Sequence, residues 1–246
     1  MTPLVSVIIP AKDENLTVCL ASLKKQSYKK IEIIVVRQGL ERSGQRNLGA
    51  KKARGEYLLF LDADMSVPKN LIACCVEKIQ QENLAALYVP EKITGDSYWC
   101  KVRNFERSFY NGTVIDAVRF IKKDIFQKAG GFNESLTAGE DWDLNRKIKK
   151  EGPTTLLGNS FLFHHEENFN LLNYLRKKSK YTKSLKDYRE KWPNKETQKQ
   201  FSFLYRYFGV FLENGKWQKF LQSPHLWPGL YLLRFLVGLN YLLNNL

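Results

Sequence analysis

Two short continuous apolar runs, Leu4 to Ile9 and Ile31 to Val36, are rich in Val and Ile, the pattern of strands buried on both faces of a parallel sheet. Between them, Leu16, Leu20 and Leu23 recur at helical spacing within Asn15 to Ser27, so this stretch reads as a βαβ unit. A further helix, Gly44 to Arg54, leads into a third apolar strand, Tyr57 to Leu61, which stops abruptly at Asp62-Ala63-Asp64. Pro68 to Gln81 reads as a helix with Pro near its start, and Leu84 to Pro90 as a strand. A mixed aromatic and basic stretch, Tyr98 to Asn111, precedes an apolar segment, Val114 to Ile121. Gly130-Gly131-Phe132 is a turn, and a helix starting at Gly139 or Glu140 runs to about Lys150, where Glu151-Gly152-Pro153 ends it. Thr154 to Phe163 reads as the last strand, closing at His164-His165. The pattern predicts an α/β domain over residues 1–165, with a mostly parallel sheet flanked by helices.

Residues 166–246 read differently. They are helical and basic to about Gln222, broken once at Pro193, and aromatic throughout. Leu226 to Leu243 is then apolar apart from Arg234 and Asn240. Eighteen residues is short for a bilayer span, and an Arg near the middle is costly there. The segment therefore predicts an interfacial or shallowly re-entrant helix.

Composition sharpens this division. A chain of 246 residues with 43% hydrophobic and 13% aromatic content is globular, with room for one α/β domain and a helical appendage. The net charge of +14 implies an anionic partner: nucleic acid, an anionic membrane surface or a phosphate-bearing substrate. Between Leu172 and His225 there are thirteen Lys/Arg against four Asp/Glu, so most of the excess lies outside the α/β pattern. No nucleic-acid-binding motif accompanies it, which argues against nucleic acid as the partner. Cys19, Cys74, Cys75 and Cys100 form no C-x-x-C pair, and the chain opens directly into a strand without an apolar leader. Both features predict a reducing, cytosolic setting.

Ligands of open α/β sheets collect at the carboxyl ends of strands, where this sequence places Asp62 and Asp64. Two apart at a strand end, they can present oxygen ligands to one hydrated Mg²⁺ or Mn²⁺ bridging a diphosphate; on spacing alone a polar turn is the alternative. The Pro10-Ala11-Lys12-Asp13-Glu14 turn after the first strand should line a nucleotide pocket, and Arg46 should reach a phosphate, for which its planar fork is suited.

Ser6-Val7-Ile8-Ile9-Pro10-Ala11, Arg46-Asn47-Leu48-Gly49-Ala50, Ala53-Arg54-Gly55-Glu56-Tyr57, Phe60-Leu61-Asp62-Ala63-Asp64, Gly130-Gly131-Phe132 and Gly139-Glu140-Asp141 occur in that order. Together they resemble the family two glycosyltransferases over roughly residues 4 to 165. The resemblance implies a GT-A fold, an inverting transfer from a UDP- or GDP-sugar, Asp62 and Asp64 as the metal and nucleotide motif, Glu140 beside the donor, and Asp141 as the base. It also implies that a histidine after the last strand, His164 or His165, completes the metal site or touches the diphosphate. Direct displacement at an anomeric carbon needs only one carboxylate facing the acceptor, which Asp141 could supply; capping the following helix is its simpler role.

The sequence departs from the family after the second strand. Val36-Arg37-Gln38-Gly39 stands where relatives carry an Asp-Asp-Gly-Ser-like turn that holds the base, leaving Arg37 or Gln38 as substitutes. Tyr174, Lys177, Lys178, Tyr181, Tyr188 and Trp192-Pro193, followed by the apolar segment, are similar to the tails of members acting on lipid-linked acceptors at the cytoplasmic membrane face. Lys and Arg interleaved with aromatics match an anionic headgroup region. A lipid-linked or glycan acceptor and peripheral attachment to the cytoplasmic side of the membrane are thus expected. A nucleic-acid-binding protein, a nucleotidyltransferase and an inactive membrane scaffold are the alternatives.

Overall fold

Each of the first apolar runs becomes a strand in the computed structural model, which describes residues 2–39, 41–167 and 169–243. Met1, Leu40, Asn168 and residues 244–246, the end of the expected extension among them, lie outside the described residues. In chain order the strands are β1 (Val5–Pro10), β2 (Ile31–Val36), β3 (Tyr57–Phe60), β4 (Met65–Ser66), β5 (Ala86–Tyr88), β6 (Glu91–Thr94), β7 (Val118–Lys122), β8 (Thr154–Leu156) and β9 (Leu162–His165). The principal helices are α1 (Thr17–Lys24), α2 (Arg42–Lys52), α3 (Leu71–Gln81), α4 (Tyr98–Ser108), α5 (Lys123–Lys128), α6 (Glu140–Glu151), α7 (Leu171–Ser179), α8 (Thr182–Lys191) and α9 (Lys195–Phe201), with a terminal helix at Trp227–Leu243. Two compact units result: Met1–Glu91 with Asp116–His165, and Lys92–Ile115 with Glu166–Leu246.

The first unit is built on a six-stranded sheet of order β2-β1-β3-β7-β5-β8. β1 pairs in parallel with β2 and β3, and β5 with β8; β7 is antiparallel to both its neighbours. Strand alternation sends side chains to two cores. Val5, Val7, Ile9, Leu59 and Leu61 pack with Leu23 of α1 and Leu71, Cys75 and Ile79 of α3 on one face. Ile8, Leu58 and Phe60 pack with Ala50 of α2, Phe126 of α5, and Leu144 and Ile148 of α6 on the other. The carboxyl ends of β1, β2 and β3 lie side by side, since β1 is paired with both of the others.

Three sequence expectations change. β2 was expected to be buried on both faces, yet Ile33 and Val35 are exposed, because β2 is the edge of its sheet. The expected last strand, Thr154 to Phe163, is two strands: β8 joins the main sheet, whereas β9 pairs antiparallel with β4. Tyr98 to Ser108, read only as aromatic and basic, is a helix whose N-cap hydroxyl, Ser97 Oγ, accepts from Cys100 N at 3.2 Å. All four cysteines are free thiols.

In the second unit, Phe105, Phe109, Phe211 and Phe220 form an edge-to-face aromatic cluster with ring centroids 4.9–5.6 Å apart. Beside it the buried Glu106 accepts from Arg103 at 2.8 Å, and Arg234 of the terminal helix lies 3.5 Å from Glu106 and donates to Tyr110 Oη at 2.7 Å. Burial alone would raise the Glu106 carboxyl, but the two guanidiniums hold it down at about 2.

Candidate active site

The site starts from the way α2 is set against the strand ends. Gln45 in its first turn donates from Nε2 to Ala11 O at 3.3 Å, tying the helix to the turn after β1. The next residue, Arg46, is thereby buried, with a side chain only 2% exposed. Its Nη2 donates to Asp62 Oδ1 at 2.8 Å and its Nη1 to Asp141 Oδ1 at 2.8 Å, with Glu140 Oε1 at 3.5 Å. The guanidinium also lies 5.1 Å from the Phe132 ring centroid. Asn47, one residue on, accepts at Oδ1 from Phe132 N at 2.9 Å and donates to Phe132 O at 3.0 Å. One helical turn therefore joins the end of β3, the Gly130-Gly131-Phe132 turn and the start of α6.

Asp141 is aimed by the first turn of α6. Gly139 caps that helix at φ +79°, in the left-handed region that costs an L side chain energy, and Asp143 N closes the turn on Gly139 O at 2.8 Å. Glu140, Asp141 and Asp143 then occupy the positive end of the helix dipole. Asp143 is buried on Lys147 at 2.9 Å, whereas the Asp141 side chain is 40% exposed. Burial, reinforced by the charge of Asp141 and only partly opposed by Arg46, pushes the Glu140 carboxyl up.

Beyond Asp62 the charges continue. Arg119 of β7 approaches Asp62 Oδ2 at 3.6 Å and donates to the buried Glu91. Burial would raise the Asp62 carboxyl, and Arg46 and Arg119 instead hold it below the usual carboxylate range. Glu91 Oε2 lies 3.9 Å from His164 Nδ1, and His164 Nε2 is 3.3 Å from Asp64 Oδ2. Burial alone would lower the imidazole pKa; its bonds to Asp64 and Glu91 override that and hold it up at about 9. Neighbouring His165 points elsewhere, with Nε2 2.8 Å from Ser66 Oγ, as strand alternation requires.

Placed against the sequence expectations, Asp62, Glu140 and Asp141 converge on Arg46, and Asp64 meets His164. Arg46, expected on a phosphate, has both terminal nitrogens on carboxylates instead. Asp62, expected on the metal, faces the arginines. Among the described residues, no group of three or more His, Cys, Asp and Glu side chains is arranged to hold a metal unaided. Asp64, 53% exposed, and His164 form an accessible oxygen and nitrogen pair, which fits a partial shell completed by water and diphosphate oxygens.

Pro10 ends β1, and Ala11, Lys12, Glu14, Arg37 and Gln38 lie on the adjoining segments after β1 and β2. Ala11 N donates to Val36 O at 3.0 Å, Arg37 donates to Lys12 O, and Lys12 N donates to Glu14. Sequence reasoning missed Arg119 and Glu91. Their signal was a charge inside the otherwise apolar Val118-Arg119-Phe120-Ile121 and another immediately after Pro90.

Residues 36–134, from the end of β2 through the Gly130-Gly131-Phe132 turn, match the model of Glycosyl transferase family 2. Over that stretch the chain is similar to this family. Among curated proteins similar to it, an uncharacterized glycosyltransferase EpsJ of Bacillus subtilis is 25% identical, the match covering 70% of this chain and 63% of that protein. An uncharacterized glycosyltransferase of Haemophilus influenzae is 25% identical over 60% of this chain and 63% of its own. The chain thus spans less than two thirds of these relatives. A crystal structure of S. aureus TarS 1-349 in complex with UDP-GlcNAc superposes with a TM-score of 0.55 at 15% identity, covering 97% of this chain and 89% of that one. The TarS 1-349 complex with UDP gives 0.56 at 14% identity and the same coverage. The chain thus has a GT-A-like fold, a mixed and mostly parallel sheet flanked by helices.

Proposed function

We propose that the protein is an inverting, metal-dependent glycosyltransferase that moves a sugar from a nucleotide donor to a hydroxyl of a lipid-linked or glycan acceptor at the cytoplasmic face of a membrane. One observation carries the reading: a single buried guanidinium, Arg46, holds Asp62 at the end of β3 and Asp141 at the start of α6, so both motifs meet at one site. UDP-sugars are favoured over GDP-sugars as donors because TarS, a fold neighbour, was crystallised with UDP and with UDP-GlcNAc.

Asp141, fixed through Oδ1 and open to solvent, takes the proton of the acceptor hydroxyl. The acceptor oxygen bonds to the anomeric carbon from the side opposite the diphosphate, whose oxygen leaves with the bonding pair, so configuration inverts. Arg46 aims the base and keeps Asp62 ionised for the donor ribose. Asp64 and His164 would hold Mn²⁺ or Mg²⁺, which when bound neutralises charge on the leaving diphosphate. Arg37, Gln38, Lys12 and Glu14 border the nucleotide base in place of the acidic turn of other family members.

The test is nucleoside diphosphate release from UDP-GlcNAc, UDP-glucose and GDP-mannose with Mn²⁺ and a membrane-lipid extract as acceptor. The wild type should release UDP, and Asp141→Asn should lower turnover by about 100- to 10,000-fold while UDP binding persists. Full turnover in that variant would remove Asp141 from the chemistry, and release of pyrophosphate would identify a nucleotidyltransferase.

A further inference from the structure

The terminal helix, Trp227–Leu243, has its polarity inside out. Its one charged side chain, Arg234, is buried against Tyr110 and Glu106. Asn240 also turns inward, donating from Nδ2 to Leu175 O of α7 at 2.8 Å. Gly229, Leu230 and Leu233 share the buried side, and a Cβ at Gly229 would fall 2.6 Å from Tyr98 Oη and 2.7 Å from Val102 Cγ2. So close an approach to α4 fixes which side of the helix faces in.

The opposite side carries Leu232, Phe235, Leu239, Leu242 and Leu243, exposed by 41–64% and spaced so that they form one stripe. The preceding segment adds to it. Tyr207 Oη donates to Arg234 O at 2.7 Å, Phe203 stacks on Tyr207 at 4.3 Å, and Phe208 lies 6.4 Å from Tyr231 of the helix. Phe203 and Phe208 are themselves exposed. A helix facing water has the reverse arrangement, with apolar side chains in and charges out.

From this geometry we infer that the stripe of the terminal helix, extended by Phe203 and Phe208, is the surface by which the protein lies in an anionic bilayer, parallel to it and without crossing it. Pro224–Leu243 is long and apolar enough to span, with a mean hydropathy of 1.3, but a span would tear Arg234 from Glu106 and Tyr110 and strand its charge in hydrocarbon. Charge selects lipid over a second copy of the chain. Helix α7, which packs on the terminal helix, exposes Arg176, the following residue Lys180 is exposed too, and α8 exposes Lys183 and Lys186. Two such faces would repel each other, while acidic headgroups attract both. The inference deepens the membrane placement proposed above, and its test requires no sugar transfer, so either can fail alone.

The experiment is flotation of the full chain with vesicles of an equimolar mixture of phosphatidylcholine and phosphatidylglycerol, and with phosphatidylcholine alone. The wild type should float with the acidic vesicles and much less with the neutral ones. The triple variant Phe235→Gln, Leu239→Gln, Leu242→Gln should partition at least about tenfold more weakly with an unchanged melting temperature, because only outward side chains are altered. Val18→Gln, an equally exposed apolar site on α1 in the first unit, should float like the wild type. Equal flotation of the triple variant and the wild type, or no flotation of the wild type, would overturn the inference. A wild-type dimer by light scattering that the triple variant turns into monomers, with neither floating, would make the stripe an interface between copies.

Discussion

Arg46 is the residue whose partners decide how the rest of the candidate site is read. An arginine beside a strand end in a phosphate-handling fold invites assignment to the phosphate, but its carboxylate partners lie 16 and 95 residues away in sequence. No local pattern reveals them. Removing a buried guanidinium leaves uncompensated charge, which costs about 3–5 kcal/mol. Here the lower end applies, because Asp141 can turn to solvent and Asp62 keeps Arg119. Arg46→Met is expected to destabilise the protein by about 3 kcal/mol, a fall in melting temperature of roughly 6 °C or more. An unchanged melting curve would show that the carboxylates hold their places without it.

At the scale of the element, α6 is the part that delivers the proposed base. Its start is set by Gly139 at φ +79°, and Gly139→Ala should cost about 1–2 kcal/mol and misdirect Asp141. Calorimetry should register a fall of roughly 2–8 °C, and a variant as stable and as active as the wild type would show that the left-handed cap is dispensable. Much of this was legible in advance. β1, β3 and α3 follow clear apolar patterns, and Gly139 followed by two acids marks a helix start. Less was legible where short elements hand over. Thr154 to Phe163 looks continuous by hydrophobicity, yet Gly158-Asn159-Ser160 supplies turn residues within it and sends the chain from one sheet to the next. That handover presents His164 to Asp64, so the site depended on a turn rather than on the strand around it. Helix α4 was obscured for another reason: its inward face carries Glu106 among Val102 and Phe105, a buried charge made tolerable by Arg234, Arg103 and the Tyr110 hydroxyl.

Over the whole molecule, chemistry and charge are segregated. The carboxylates, arginines and histidine of the candidate site all belong to the first unit, while most of the net charge of +14 and the exposed apolar stripe belong to the second. Such a division suits the proposed handling of a nucleotide by one unit and the proposed contact with an anionic surface by the other. Of these two proposed roles, the nucleotide role is the more basic, because the proposed sugar transfer has no meaning without it. It can be measured without knowing the acceptor, by titrating UDP into the wild type and into Asp64→Ala, each with and without Mn²⁺. In the wild type Mn²⁺ should tighten UDP binding by at least about tenfold, ~1.4 kcal/mol, and in Asp64→Ala the ion should make no difference. Identical UDP affinities in the two proteins with Mn²⁺ present, or no UDP binding by the wild type, would contradict a donor diphosphate held through a cation at Asp64 and His164.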